Sequence, residues 1–383
     1  MVSQRTKQGA MKTTEKPAVA SLVWDLSSEL HQSQADAVAR LGYQHQFFLY
    51  DEPLPPDADI VLVQGPYGPL LPLARQLIDR PAEERPVLAY WFQQSLGMVR
   101  AEWIRRLLPR TFFDPHRNHR KPGWVDWMLD RLMPRLLDAR DCRFRFLGDI
   151  LWLYRHRVLD VLALSSTVYA RYLKQLGIPS ILTPRGYHPS YGQILDLERD
   201  IAVVWMGKTR NRRRKQVVHW MEEQLEGRGL LMQIYDGEHN DFIFDDKRTE
   251  ILNRTRFVLN VLPDPTWEVS MRYYIAAANG AVVLTEPGEN AYPFVPGKHL
   301  VECPVEQMPE KVIYYLQHED EWNAISEAML SLMQEELTLK RSIARILDRA
   351  EAVLDRRRGR RPSEGGRAAQ ASLTAGESLG RRT

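Results

Sequence analysis

The stretch Arg199-Asp200-Ile201-Ala202-Val203-Val204-Trp205-Met206-Gly207-Lys208-Thr209-Arg210-Asn211-Arg212-Arg213-Arg214-Lys215 decides how the chain is read. Ile201 to Met206 is a short apolar run with the length of a strand buried on both faces; it stops at a glycine, and a basic helix start follows. A glycine at a strand end lets an anion approach the backbone. The following helix points its N-terminal amides at the same place, and Lys208 and Arg212 add positive charge. Cations in a first helical turn oppose the macrodipole, so a bound anion explains the run better than a solvated surface does.

Outward from this unit the pattern repeats. Leu230 to Tyr235, Phe257 to Leu262, Ala281 to Thr285 and His299 to Glu302 are further apolar runs separated by helix-length segments. A helix over about 270–279 ends at Gly280 and feeds a strand directly, and a last long helical region covers about 322–355. On the N-terminal side, Ala18 to Trp24, Gln46 to Tyr50, Ile60 to Gln64, Val87 to Phe92, Val161 to Ser165 and Ile181 to Thr183 read as strands of a first sheet. Alternating strands and helices predict two doubly wound parallel sheets. The expected organisation is a tail over 1–17, a first Rossmann-like domain over 18–190, a second over 191–355, and an arginine-rich tail over 356–383. Both tails have disorder-prone composition.

The chain has 383 residues and a formal charge of +3, with 52 Lys+Arg against 49 Asp+Glu. The two tails hold +3 and +6, which leaves −6 for residues 18–355. Within the first domain, residues 98–157 form a basic, aromatic-rich helical insertion of net +7 with nine aromatics. This segment and the arginine tail are the candidates for peripheral membrane contact; the alternative is aromatics packed as core with arginines reaching solvent. Nucleic acid is not the expected partner. Cys142 and Cys303 stand far apart, no apolar run reaches the ~18 residues of a membrane span, and the expected location is cytoplasmic. There is no Gly-x-Gly-x-x-Gly, Walker loop, His-Glu-x-x-His, Cys-x-x-Cys or Gly-x-Ser-x-Gly, which removes support for dehydrogenase, nucleoside triphosphatase, zinc and serine-hydrolase readings.

A second loop rich in candidates follows the Phe257 strand: Pro263-Asp264-Pro265-Thr266-Trp267-Glu268-Val269-Ser270, leading into Met271-Arg272. Ser270 and Arg272 lie in a first helical turn, where phosphate or sugar hydroxyls are held. The carboxylate of Glu268 accepts from a pair of hydroxyls. Taken in order, Thr183-Pro-Arg-Gly-Tyr-His-Pro189, Arg199 to Gly207, Arg256 to Leu262, Met271 to Glu286 and Phe294 to Val301 resemble GT-B glycosyltransferases. They resemble in particular bacterial proteins with a family-one or family-four-like C-terminal domain, of the spore-maturation-protein type. The resemblance is good over about 160–320 and extends to 18–95 only as a strand–helix pattern.

The resemblance implies an α/β GT-B fold with two Rossmann-like domains facing across a cleft. It implies transfer of a sugar, hexosyltransferase-like, from a UDP-, GDP- or dTDP-sugar donor to a polysaccharide, cell-envelope or small-molecule acceptor. Carried over by position, Gly207 and Lys208 match the phosphate-side loop, Asp236 and Gly237 begin the loop near the nucleobase, and Glu268, Ser270 and Arg272 match the donor loop and helix start. The chain departs from the pattern at Ile275 and Ala276, where relatives place a carboxylate; Glu286, after the next strand, is the expected substitute. Asp57-Ala58-Asp59 precedes its strand and reads as a polar strand entry, so transfer is expected to be metal-independent, with Lys208 and Arg212 offsetting the leaving diphosphate. The base candidates are Asp25, with His31 nearby, and His188, which reads equally as a hinge residue; Gln93 and Gln94 are expected to face the acceptor. The alternative function is a catalytically silent GT-B-like scaffold that binds a glycan or a protein partner.

Overall fold

The structure, a computed structural model, describes residues 16–26, 28–65, 70–94, 96, 144–209, 212–262, 270–289 and 291–359. Glu268, Cys142, most of the 98–157 insertion and most of both tails lie outside the described residues.

The first sheet contains β1 (Val19–Val23), β2 (His45–Leu49), β3 (Ile60–Gly65), β4 (Val87–Phe92), β5 (Leu159–Leu164) and β6 (Ile181–Leu182), in the order β2-β1-β3-β4-β5-β6 and parallel throughout. The second contains β7 (Ile201–Met206), β8 (Met232–Tyr235), β9 (Thr255–Asn260), β10 (Val282–Thr285) and β11 (Val301–Glu302), also parallel, in the order β11-β10-β9-β7-β8. The two orders are the same doubly wound arrangement. In each, the winding direction reverses beside the first strand, so the ligand crevice is expected between the carboxyl ends of β1 and β3 and of β7 and β9.

Both sheets are covered on both faces, which is why their central strands read as unbroken apolar runs. Alternate residues of β4 serve opposite sides. Leu88, Tyr90 and Phe92 pack with α2 (Leu71–Ile78), α3 (Phe144–Arg155) and α4 (Thr167–Gln175). Val87, Ala89 and Trp91 pack with α1 (Glu29–Ala39) and α10 (Leu339–Arg357). The second sheet is covered by α5 (Arg212–Glu226), α6 (Asp245–Asn253), α7 (Met271–Ala278), α8 (Met308–Gln317) and α9 (Glu319–Glu335).

The structure revises the expected organisation in two places. The long C-terminal helical region is two helices, α9 and α10, and the second leaves its own domain: Leu339, Ile343, Ile346, Leu347, Ala350 and Leu354 are buried against the first sheet. A strongly amphipathic helix must bury its stripe somewhere, and periodicity does not say on which sheet. The ordered chain also continues past 355, because Arg357 and Arg358 pair with Asp160 and Asp59. The end of the basic insertion follows the packed-core alternative: Phe146, Leu147, Ile150 and Leu153 of α3 are buried in the first domain.

The chain therefore crosses between domains twice, and the crossings touch. The Tyr187 amide donates to Leu337 O (2.6 Å), and the Leu339 amide donates to Tyr187 O (2.7 Å). Gly186 (φ +93°) has no room for a side chain, since a Cβ would stand 2.6 Å from Leu339 Cα. Further along, Arg248 on α6 makes a two-pronged ion pair with Glu29 at the start of α1, both contacts 3.1 Å.

Behind α1 lies an unusual buried patch. His31 is fully buried and neither ring nitrogen has a hydrogen-bond partner; its ring meets Trp24 edge-on at 4.1 Å. Burial pushes its pKa down to about 4, against the opposing field of Asp25. His45, whose Nε2 lies 2.9 Å from Ser21 Oγ, is pushed down to about 4 by burial too. Histidines with depressed folded-state pKa values resist protonation that the unfolded chain accepts. Their contribution is intact above about pH 6.5 and is lost as pH falls toward 4, on the order of 3 kcal/mol for His31. Thermal melts should thus show a falling Tm between pH 7 and 5, and His31→Phe should flatten that slope. An unchanged slope would mean that His31 is not the titrating group. Separately, Leu347→Ala should cost about 2–5 kcal/mol by leaving a cavity in the first domain. Hydrogen exchange of the first-sheet amides in increasing denaturant reads this, and a loss confined to the second domain would contradict the crossover.

Candidate functional site

The second sheet's crevice is built around Arg272, in the first turn of α7. Its Nε donates to Met206 O (2.7 Å), one terminal nitrogen lies 3.3 Å from Asn260 Oδ1, and the guanidinium sits over the Trp205 ring at 4.4 Å. Among the described residues no carboxylate pairs with it. Burial, followed by the nearby Arg214 cation, pulls its pKa down to about 9. A guanidinium is held here beside a like charge at the carboxyl end of β7 and β9, where an anion would relieve it.

Gly207 has a different role from the expected one. Its own amide is spent on Tyr235 O (3.0 Å), while Trp205 Nε1 donates to its carbonyl (2.7 Å). At φ +127°, a Cβ at Gly207 would run into the Arg272 guanidinium. The glycine makes room for the arginine. Lys208 is exposed on the same rim, with its Nζ 6.0 Å from the Phe242 ring centre, and Arg212 is exposed at the start of α5.

The structure divides the basic run after Gly207. Arg213 is bound through both terminal nitrogens to Glu286, which also accepts from the Leu262 amide (2.6 Å). The Glu286 hydrogen bonds raise the pKa of Arg213. Glu286, expected as a ribose ligand, is thus consumed inside the domain. Arg214 Nε donates to Val261 O (2.9 Å), and Lys215 pairs with Glu238 (2.6 Å).

Asp236 and Gly237 also serve the loop. Burial opposes ionisation of Asp236, but the amides of His239 and Glu238, the Thr209 hydroxyl (2.8 Å) and the His239 ring outweigh it and hold the pKa well below the usual carboxylate range. Gly237 (φ +82°) turns the chain under Phe242, whose ring a Cβ would approach to 2.8 Å. Ser270 is buried with its hydroxyl 3.2 Å from Asn260 Oδ1. Ile275, where a carboxylate is the pattern, packs on the second core.

On the first domain, His188 bridges to α1: its Nε2 lies 2.9 Å from Asp36 Oδ2 and its Nδ1 2.9 Å from Ser190 Oγ. That is the hinge reading, and both nitrogens are engaged. Asp25 is exposed beyond β1, with its field on the sealed His31. Gln93 is buried at the end of β4, only 5% exposed. The structure therefore brings Gly207, Lys208, Ser270 and Arg272 to one rim and leaves His188 and Glu286 in structural bonds.

Three residues of the site escaped sequence reasoning. Asn260 orients Ser270 and Arg272 while its Nδ2 donates to Thr285 Oγ1 (3.0 Å); the signal was a lone amide ending a buried apolar strand. Trp205 is the platform for Arg272. Asn279, fully buried, ties α7 back to Tyr191 O (3.2 Å).

The profile of the family described as glycosyl transferase-like matches residues 200–348. No curated protein matches the chain by sequence. Among solved structures, HepE from Anabaena in complex with UDP-glucose is similar with a TM-score of 0.51 at 8% identity, covering 89% of this chain and 100% of HepE. HepE in complex with UDP gives a TM-score of 0.51 at 9% identity over 86% and 99% of the two chains. The match to the profile stops within α10, at the helix that returns to the first domain. The fold is GT-B, and most of the second domain is similar to the glycosyl transferase-like family.

Proposed function

We propose that the protein transfers a sugar from a nucleotide-sugar donor, held by the second domain, to a polysaccharide or cell-envelope acceptor held by the first. The observation that carries this is Arg272, a guanidinium without a described acid partner, seated over Trp205 at the switch point between β7 and β9. Breaking the bond between the anomeric carbon and the diphosphate builds negative charge on the leaving phosphate. Arg272, Lys208 and the first-turn amides of α7 stand where that charge develops, and their fixed positions cost no reorganisation during transfer, with no step assigned to a metal. HepE, which has the same fold, is known with UDP and UDP-glucose, so uridine sugars are the first donors to try.

A catalytically silent scaffold is favoured by one observation, the engagement of Glu286 by Arg213. Turnover separates the two. Purified protein incubated with UDP-, GDP- and dTDP-sugars should hydrolyse or transfer at least one, and donor binding without any turnover would support the scaffold.

Arg272→Ala should weaken UDP binding ten- to hundredfold, the range for charge-assisted hydrogen bonds of about 1.5–3 kcal/mol. Gly207→Ala should weaken it too by displacing the same guanidinium. Because both act through one group, titration calorimetry on the double variant should show a loss no larger than that of Arg272→Ala alone. Additive losses would mean that Gly207 serves the ligand directly.

A further inference from the structure

Across the cleft, the first domain holds a second arginine without a described acid partner. Arg185 follows β6, is only 7% exposed, and has one described hydrogen bond from its side chain, to the carbonyl of Gln93 at the end of β4. Its Nε has no partner. Two neighbouring groups are buried and incomplete in the same way: the Gln93 side-chain nitrogen, on a residue 5% exposed, and the Thr183 hydroxyl, on a residue fully buried. Gln64, at the end of β3, orients the Gln93 amide through its Oε1 (3.2 Å). Buried polar groups are normally satisfied, and each that is not costs about 1–3 kcal/mol. The unsatisfied Nε of one buried cation and two unsatisfied donor groups beside it, at the carboxyl ends of β4 and β6, are matched by a common acceptor with several lone pairs.

The position is interdomain. The positive charge of Arg185 bears on the Tyr191 and Tyr274 hydroxyls, and the backbone amides of Arg185 and Gly186 meet the Tyr274 hydroxyl. Tyr274 belongs to α7, the helix that carries Arg272. Arg185 thus stands on the first-domain side of the cleft, linked through one helix to the donor site.

We propose that Arg185, Gln93 and Thr183 form an acceptor subsite for an acidic group, a carboxylate or a phosphate. The subsite makes the preferred acceptor an anionic glycan or phosphate-bearing polymer unit. A guanidinium fork reads both chemistries through paired N–H donors, and the Gln93 amide and Thr183 hydroxyl add further donors. A neutral sugar leaves the cation and its donors unpaired, so the site discriminates by the cost of that vacancy. The inference that the bound group belongs to the acceptor rests on the glycosyl-transfer reading; the anion preference does not.

The test uses the full chain saturated with UDP, so that phosphate probes cannot report on the donor site. Methyl glucuronide, glycerol 1-phosphate and the neutral methyl glucoside are titrated by calorimetry. At least one acidic probe should bind tenfold or more tightly than methyl glucoside, and the better of the two identifies carboxylate or phosphate. Arg185→Gln should erase that preference while UDP affinity stays unchanged. Arg185→Lys, which keeps the charge but not the fork, should retain only part of it, and serves alone if the glutamine variant does not fold. Equal binding of acidic and neutral probes to wild type, or an undiminished preference in Arg185→Lys, overturns the proposal. If UDP itself fails to bind, the donor reading falls, and the same titrations on the unliganded chain still decide the anion preference, with Arg272→Ala as the background that removes the other arginine.

Discussion

The whole architecture turns on the place where the chain passes between its domains twice. Gly186 lies flat against Leu339, and Tyr187 exchanges amide hydrogen bonds with Leu337 and Leu339. One crossing alone would be a flexible linker; two that share hydrogen bonds define a hinge with a fixed position and leave rotation as the soft motion. The same geometry explains why α10 belongs to the first domain: a chain that has re-crossed at 337–339 can bury its apolar stripe only on the sheet it meets there. The ion pair of Arg248 with Glu29 then fastens α1 to the second domain, and the contact of His188 with Asp36 holds the first crossing against the same helix.

Charge is arranged around this hinge with a consistent logic. Arginines with structural work are neutralised or capped locally: Arg213 by Glu286, Arg254 by Asp200, Arg357 by Asp160, and Arg199 by the carbonyls of Leu252, Thr255 and Asn279. Arg272 and Arg185 resemble Arg199 in being enclosed, with backbone-carbonyl acceptors and no described carboxylate, but Arg199 precedes its strand whereas these two stand at carboxyl ends of strands. Carbonyls fix a guanidinium in space without cancelling its charge. Two cations so placed, one on each wall of the cleft, are what a protein that brings anionic ligands together needs, and they are costly to maintain in a fold that does not.

Most of the fold was legible because the strands are buried on both faces. Eleven short apolar runs ended at glycine, proline or polar residues, and nearly all fell within a residue or two of the observed strands. What could not be read was partnership. Nothing in the spacing of Leu339, Ile343, Ile346 and Ala350 names the sheet they cover. In the run from Arg212 to Lys215, adjacent cations look alike in sequence, yet a helix sends them in different directions, to Glu286, to Val261 and to Glu238. Gly207 was found as the pivot of the site by its position after a strand, but its reason was legible only once Arg272 was seen occupying the space a Cβ would take.

The fate of Glu286 bears on how the donor's ribose is recognised. A carboxylate that already accepts two guanidinium N–H bonds and a backbone amide has few lone pairs left, and releasing it would strand Arg213 against Leu262. Ile275, one turn along α7 from Arg272, offers only van der Waals contact and is itself packed on Tyr273, Tyr274 and their neighbours. In the proposed donor site a ribose would find its hydroxyl partners elsewhere than on these two positions, and the carboxylate that the sequence offers for them, Glu268, lies outside the described residues.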